Sequence, residues 1–164
     1  MPFEHTEELE AVKTAALIEN NGMAFYSLLK ERIDDPRISE VFSALASEEK
    51  GHLANIESSY YPRAGLGDAV TDEELDMEEY VKKASPDIFT RRISMERLVE
   101  TIDNPRQAVI IALDAERYAA EYFTSMAEKS GSEAARSIWL DLAEEERGHA
   151  RRLKALLDAL AESV

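Results

Sequence analysis

The sequence predicts an all-α protein: a four-helix bundle built from two repeated helical hairpins joined by a long crossover. Three observations carry this. Glu48-Glu49-Lys50-Gly51-His52 returns ninety-seven residues later as Glu145-Glu146-Arg147-Gly148-His149. The same shift places Glu19 on Glu116, Phe25-Tyr26 on Tyr122-Phe123, Phe42 on Trp139, Leu45 on Leu142 and Ala46 on Ala143. Finally, 6 Gly and 5 Pro in 164 residues leave long uninterrupted runs rich in Ala, Leu, Glu, Lys and Arg, the strong helix formers.

The elements follow in order. Thr6 is an N-cap candidate, and the first helix runs from there to about Ile33. Its apolar stripe reads Leu9, Val12, Ala16, Glu19, Met23, Tyr26, Leu29 or Lys30, and Ile33, the three-four step of a bundle seam. Asp34-Asp35-Pro36 ends it and opens the next helix, because proline fits a first helical turn but not an interior. The second helix covers about Pro36 to Ser59, with Ile38, Phe42, Leu45, Glu49, His52 and Ile56 on one face. A connection of about 60–103 carries two short helical pieces, Asp72 to Lys83 and Met95 to Ile102. Its length lets the third helix run parallel to the second. Asn104-Pro105 starts that third helix and Ser130-Gly131-Ser132 ends it. Its stripe is Val109, Ala112 or Leu113, Glu116, Ala119, Phe123 and Met126. The fourth, about Ser132 to Ala161, presents Ile138, Leu142, Glu146, His149, Leu153, Leu156 and Leu160. The whole chain, 1–164, reads as one domain with hairpins at about 6–59 and 104–161.

Composition narrows the function. A net charge of −15 opposes binding to nucleic acid or to an anionic membrane, and suits a protein that attracts cations. The chain has no cysteine, which excludes disulfides, thiolate-bound zinc and iron–sulfur clusters. No apolar run reaches the length of a membrane span, and the N-terminus lacks a secretory pattern. The expected location is the cytoplasm.

Six residues point to chemistry. Glu19 lies about fourteen residues before the Asp35-Pro36 turn and Glu49 about fourteen after it. At ~1.5 Å per residue both sit roughly 21 Å from the turn, level with each other. Glu116 and Glu146 flank Gly131 in the same way. In each Glu-x-x-His the imidazole shares a face with its glutamate, at i and i+3. Glu19, Glu49, His52, Glu116, Glu146 and His149 therefore converge on one layer. Four unpartnered carboxylates there would repel and be costly to bury. Two divalent cations would neutralise them. Bridging glutamates from two helices, with one Glu-x-x-His from each of the other two, make a dinuclear carboxylate site. Oxygen donors with imidazole suit iron or manganese better than copper or structural zinc.

Other residues have a plain reading and a functional one. Tyr26, on the face of Glu19, either packs or uses its hydroxyl on a ligand glutamate or as an electron source. Glu48, Glu144 and Glu145 are exposed charges, or hold a histidine from outside the ligand set. Gly51 and Gly148, recurring beside the ligands, suggest close approach of another backbone there. His5 and the acidic run Asp72 to Glu79 read as solvated.

The paired Glu-x-x-His helices, the partner glutamates and the crossover resemble the ferritin-like superfamily, and most closely the rubrerythrin-type di-iron proteins, over the whole chain. The resemblance implies that Glu19, Glu49, His52, Glu116, Glu146 and His149 are iron ligands and that Tyr26 stands beside them. It implies two iron ions (with Mn or mixed Mn/Fe as variants) and a non-haem di-iron oxidoreductase. The substrates would be dioxygen or hydrogen peroxide, or ferrous iron to be oxidised; an external electron donor and a homodimer are further implied. An iron-handling protein without turnover is the alternative. Two departures stand out. Many rubrerythrins carry an extra glutamate where this chain has Ala119, and many carry a rubredoxin domain with a cysteine-bound iron.

Overall fold

A computed structural model of the chain describes residues 6–60, Pro62 and 92–162. These residues form five helices and no strand: α1 (Thr6–Arg32), α2 (Pro36–Ser59), α3 (Arg92–Glu100), α4 (Pro105–Lys129) and α5 (Glu133–Glu162). The architecture is the all-α, ferritin-like bundle that the repeat predicts, with α1–α2 and α4–α5 as its hairpins. The expected helical piece at Asp72 to Lys83, the acidic run within it and His5 lie outside the described residues.

The helix starts follow from local chemistry. Asp35 accepts from the backbone N–H of Arg37 and Ile38 at 3.0 and 3.4 Å, and Pro36 occupies the first helical position. Asn104 accepts from Gln107 N–H at 2.9 Å, again ahead of a proline. Ser132 Oγ accepts from Ala135 N–H at 3.3 Å, so it caps α5 instead of lying inside it. Glu7 then closes the far end of the molecule. Its Oε2 accepts from Gly131 N–H at 3.0 Å and Ser132 N–H at 3.2 Å, tying the α4–α5 turn to the start of α1.

Two expectations need correction. The connecting piece predicted at Met95 to Ile102 is α3, Arg92–Glu100. It stops early because Thr101 and Ile102 fold back onto the carbonyls of Leu98 and Val99, while Arg32 donates to the carbonyls of Glu100 and Ile102. In addition, α1 has no single apolar stripe. From Ala11 to Gly22 only Lys13 and Asn20 are not buried, because α2, α5 and α3 all pack against this helix. Leu9 is only half-buried, and its neighbour Glu8 is buried instead, accepting from Ser132 Oγ.

The other three seams follow the sequence pattern, with His52, Met126, Leu156 and Leu160 half-buried and the rest buried. Ile38, Phe42, Leu45, Glu49 and Ile56 are buried on α2, as are Val109, Ala112, Glu116, Ala119 and Phe123 on α4. On α5 the buried set includes Ile138, Trp139, Leu142, Glu146, His149 and Leu153. The repeat is visible in the packing. Tyr26 lies against Phe42 at 5.8 Å between ring centroids, and its counterpart Phe123 against Trp139 at 5.6 Å. Burying each of these rings is worth about 1.5–3 kcal/mol, so both hairpins have an aromatic anchor one or two turns from the acidic layer.

Candidate metal centre

Four carboxylates sit in the bundle interior. Glu19, Glu49 and Glu146 are 1% exposed and Glu116 is 0% exposed. Each comes from a different long helix, and α2 and α5 add His52 and His149 one turn on. The two imidazole planes are nearly parallel, with centroids 5.5 Å apart. The six residues predicted to converge are thus brought together.

Their donor atoms fall into two groups, each within 4.8 Å across. One is Glu49, Glu116, Glu146 and His149, all buried; the other is Glu19, Glu49 and His52, with His52 half-buried. Glu49 belongs to both. The carboxylate common to the two positions therefore comes from a Glu-x-x-His helix, not from the partner glutamates as the sequence pattern suggests. His149 Nδ1 lies 3.2 Å from Glu49, 3.4 Å from Glu116 and 3.7 Å from Glu146. His52 Nδ1 lies 3.4 Å from Glu19 and 3.5 Å from Glu49.

These spacings suit a cation. Donors bound to one ion at about 2.0–2.2 Å are separated from each other by about 3.0–3.5 Å. Hydrogen bonding accounts for little of the arrangement. Both oxygens of Glu19, one oxygen each of Glu49, Glu116 and Glu146, and Nδ1 of both histidines are buried without a hydrogen-bond partner. Such orphaned atoms are costly, about 1–3 kcal/mol each and more when charged. Their convergence on two points is what a pair of ions would satisfy.

The electrostatics agree. Burial, reinforced by the charge of Glu49, holds the Glu19 carboxyl well above the usual range. Burial and the neighbouring Glu116 do the same to Glu146, and burial raises Glu49 and Glu116. For His149 burial would lower the pKa, but Glu116, Glu146 and Glu49 outweigh it and drive it upward. For His52 burial again opposes, and Glu19 chiefly outweighs it to raise the pKa. All six shifts run in the same direction, toward holding a proton.

Surrounding residues refine the picture. Tyr26 is fully buried, and its hydroxyl donates to Glu116 Oε1. Burial, then the Glu116 charge, raises its pKa well above 10, so the phenol keeps its proton. Of the three acidic neighbours, Glu48 meets His149 Nε2 at 3.2 Å and Glu145 meets His52 Nδ1 at 3.4 Å. Glu144 instead pairs with Arg147 and Arg151 at the surface.

The glycines overturn one expectation. A Cβ at Gly51 would meet nothing within 4 Å, and one at Gly148 only the end of Arg151 at 3.8 Å, so no backbone crowds either. The close approach is at Gly22, where a Cβ would lie 3.2 Å from Glu49 Oε1. The signal was present in the sequence: Gly22 is one turn after Glu19, and the repeat places it on another small residue, Ala119.

The sequence model of the family described as Rubrerythrin matches residues 10–157. The chain belongs to the rubrerythrin family. No curated protein and no solved structure gave a significant match. Membership of the rubrerythrin family, together with the buried Glu/His cluster, indicates a di-metal site. No helix among the described residues is long and apolar enough to cross a membrane.

Gly22→Ala should weaken metal binding by pushing on Glu49, whereas Gly51→Ala should leave it intact and stabilise the helix by about 0.5–1 kcal/mol. Metal titration and thermal melting of both variants check this; equal metal affinity in both would contradict it. A second expected outcome concerns pH. The folded metal-free protein holds protons on Glu19, Glu146, Glu49, Glu116 and both histidines more tightly than the unfolded chain does. The resulting stability is full below the ordinary glutamate value of 4.5 and drains as pH rises past it and past the ordinary histidine value of 6.5. Melting temperature of chelated protein should therefore fall from about pH 5 to about pH 8. Added Mn(II) should flatten the fall, and Glu19→Gln should reduce it. A melting temperature that rises over this range in chelated protein would refute it.

Proposed function

We propose that this protein is a non-haem di-iron carboxylate oxidoreductase of rubrerythrin type. Its metal ligands are Glu19, Glu49, His52, Glu116, Glu146 and His149. It reacts with hydrogen peroxide or dioxygen, or oxidises ferrous iron. The observation that supports this most is the convergence of six donor residues, seven of whose buried atoms lack any hydrogen-bond partner, on two points sharing Glu49. Oxygen-rich donors with one imidazole at each position favour iron, with manganese or a mixed pair as the variants.

Two bound ferrous ions would supply two electrons, which with two protons reduce one hydrogen peroxide to two waters. The chain's own groups prepare the site for this. Glu48 sits 3.2 Å from His149 Nε2, where its charge favours the ring orientation that directs Nδ1 inward. Arg152 holds Glu48 in place at 2.8 Å. Tyr26 fixes one oxygen of Glu116 and carries a proton at the edge of the site. Phe25, Phe42, Leu45, Phe123 and Trp139, each at most 3% exposed, keep water from the rest of the layer. On the His52 side, a cavity of about 390 Å³ bordered by Asn55, Asp141, Glu144 and Glu145 gives a small oxidant a way in.

With no cysteine, the chain has no thiolate-bound centre of its own, so an external donor returns the electrons. Ala119 is completely buried, which leaves the α4 side of the site apolar at the position where many rubrerythrins place a glutamate. A cytoplasmic homodimer completes the proposal.

Rapid mixing of the ferrous protein with hydrogen peroxide, and separately with dioxygen, tests it. At least one oxidant should consume two electrons per chain within seconds. Glu49→Ala combined with Glu146→Ala should abolish both metal loading and the reaction while the helices stay folded by circular dichroism. Bound iron with no faster oxidant consumption than free Fe(II) would instead support an iron-handling protein without turnover.

A further inference from the structure

The two halves of the centre are related by sequence but not by environment. On the α5 side, Glu48 approaches His149 at Nε2, the nitrogen that faces away from the cluster, and Arg152 holds it there. The repeat carries Glu48 to Glu145, His149 back to His52, and Arg152 back to Asn55. Asparagine has no charge with which to hold a carboxylate. Among the described residues Glu145 makes no ion pair with an arginine: Arg147 and Arg151 are both engaged by Glu144. Its Oε2 lies instead 3.4 Å from His52 Nδ1, the nitrogen that faces Glu19 and Glu49. Three carboxylates thus surround one imidazole nitrogen at 3.4–3.5 Å, and that nitrogen has no hydrogen bond to any of them. One N–H could serve only one acceptor. Glu19, Glu49 and His52 lie within 4.8 Å of one another and Glu145 stands outside that group, reaching the same nitrogen from the cavity side, so a short inward swing would bring it onto an ion held by the other three.

We propose that Glu145 is a seventh protein ligand, and that it makes the position of Glu19, Glu49 and His52 the exchangeable one of the two. This rests on the dinuclear reading above. The position of Glu49, Glu116, Glu146 and His149 is enclosed; His149 is 4% exposed, and its orientation is fixed by Glu48 and Arg152. The other position opens through His52, whose side chain is 22% exposed, into the cavity beside Asn55, Asp141 and Glu145. Glu145 is 37% exposed and unclamped, so it can swing between solvent and the metal. An incoming cation meets it first, and a departing one leaves past it.

Titration of metal-free protein with Mn(II), followed by equilibrium dialysis and by electron paramagnetic resonance, tests this. Two steps are expected: a first ion with an isolated manganese spectrum, then a second, bound at least about tenfold more weakly, that couples to it. Glu145→Gln should weaken the second step about tenfold or more and leave the first unchanged. Asn55→Arg, which restores the missing clamp, should also weaken the second step while removing no ligand. Glu144→Gln removes the same charge from the same cavity and should change neither step. Two ions of equal affinity, or a second step indifferent to Glu145→Gln, would overturn the inference while leaving the dinuclear centre standing. Failure of wild-type protein to take up a second ion would instead overturn the dinuclear reading itself. Equal weakening by Glu144→Gln and Glu145→Gln would reduce the effect to general charge and also overturn it.

Discussion

Four carboxylates, none more than 1% exposed, share one layer of this bundle with two imidazoles. The rest of the structure is arranged around the cost of that layer. In an apolar interior such groups must be neutralised by protons, by cations, or by hydrogen bonds. Hydrogen bonds are scarce here: Tyr26 serves Glu116, and Glu19 is left with neither oxygen satisfied. Cations suit the donor types, the spacing and the net charge of −15 at once. The aromatic anchors, the capped helix starts and the Glu7 tie keep the four long helices in register at the level of that layer.

Much of this is legible in the sequence because the repeat fixes two kinds of register together. A helical pattern alone would have given four amphipathic rods. The shift of ninety-seven also pairs Glu19 with Glu116 and one Glu-x-x-His with the other, and the turn residues Asp35-Pro36 set their height. Hence the sequence alone puts Glu19, Glu49, His52, Glu116, Glu146 and His149 in one layer.

The remainder escaped for physical reasons. Period-based reading places side chains on faces but does not say how many neighbours a helix has; α1, packed by three others, is therefore buried beyond its stripe. Gly51 and Gly148 attracted attention by recurring beside ligands, yet their surfaces are open, whereas Gly22 is crowded by a carboxylate from another helix. Contacts of that sort depend on distances across the bundle. The end of α3 likewise depends on Arg32, which is 68 residues from the carbonyl of Glu100.

The most informative departures lie where the repeat breaks. Tyr26, whose phenol serves Glu116, answers to Phe123, which has none; Arg152, which clamps Glu48, answers to Asn55, which has no charge. An approximate two-fold arrangement thus carries one enclosed position and one facing a cavity. Anomalous scattering at the iron edge, measured on crystals of iron-loaded protein, addresses the foundation of this reading. Two peaks inside the bundle, one among Glu49, Glu116, Glu146 and His149 and one among Glu19, Glu49 and His52, would bear it out. A layer that crystallises with its six side chains intact and takes up no iron at either position would contradict it.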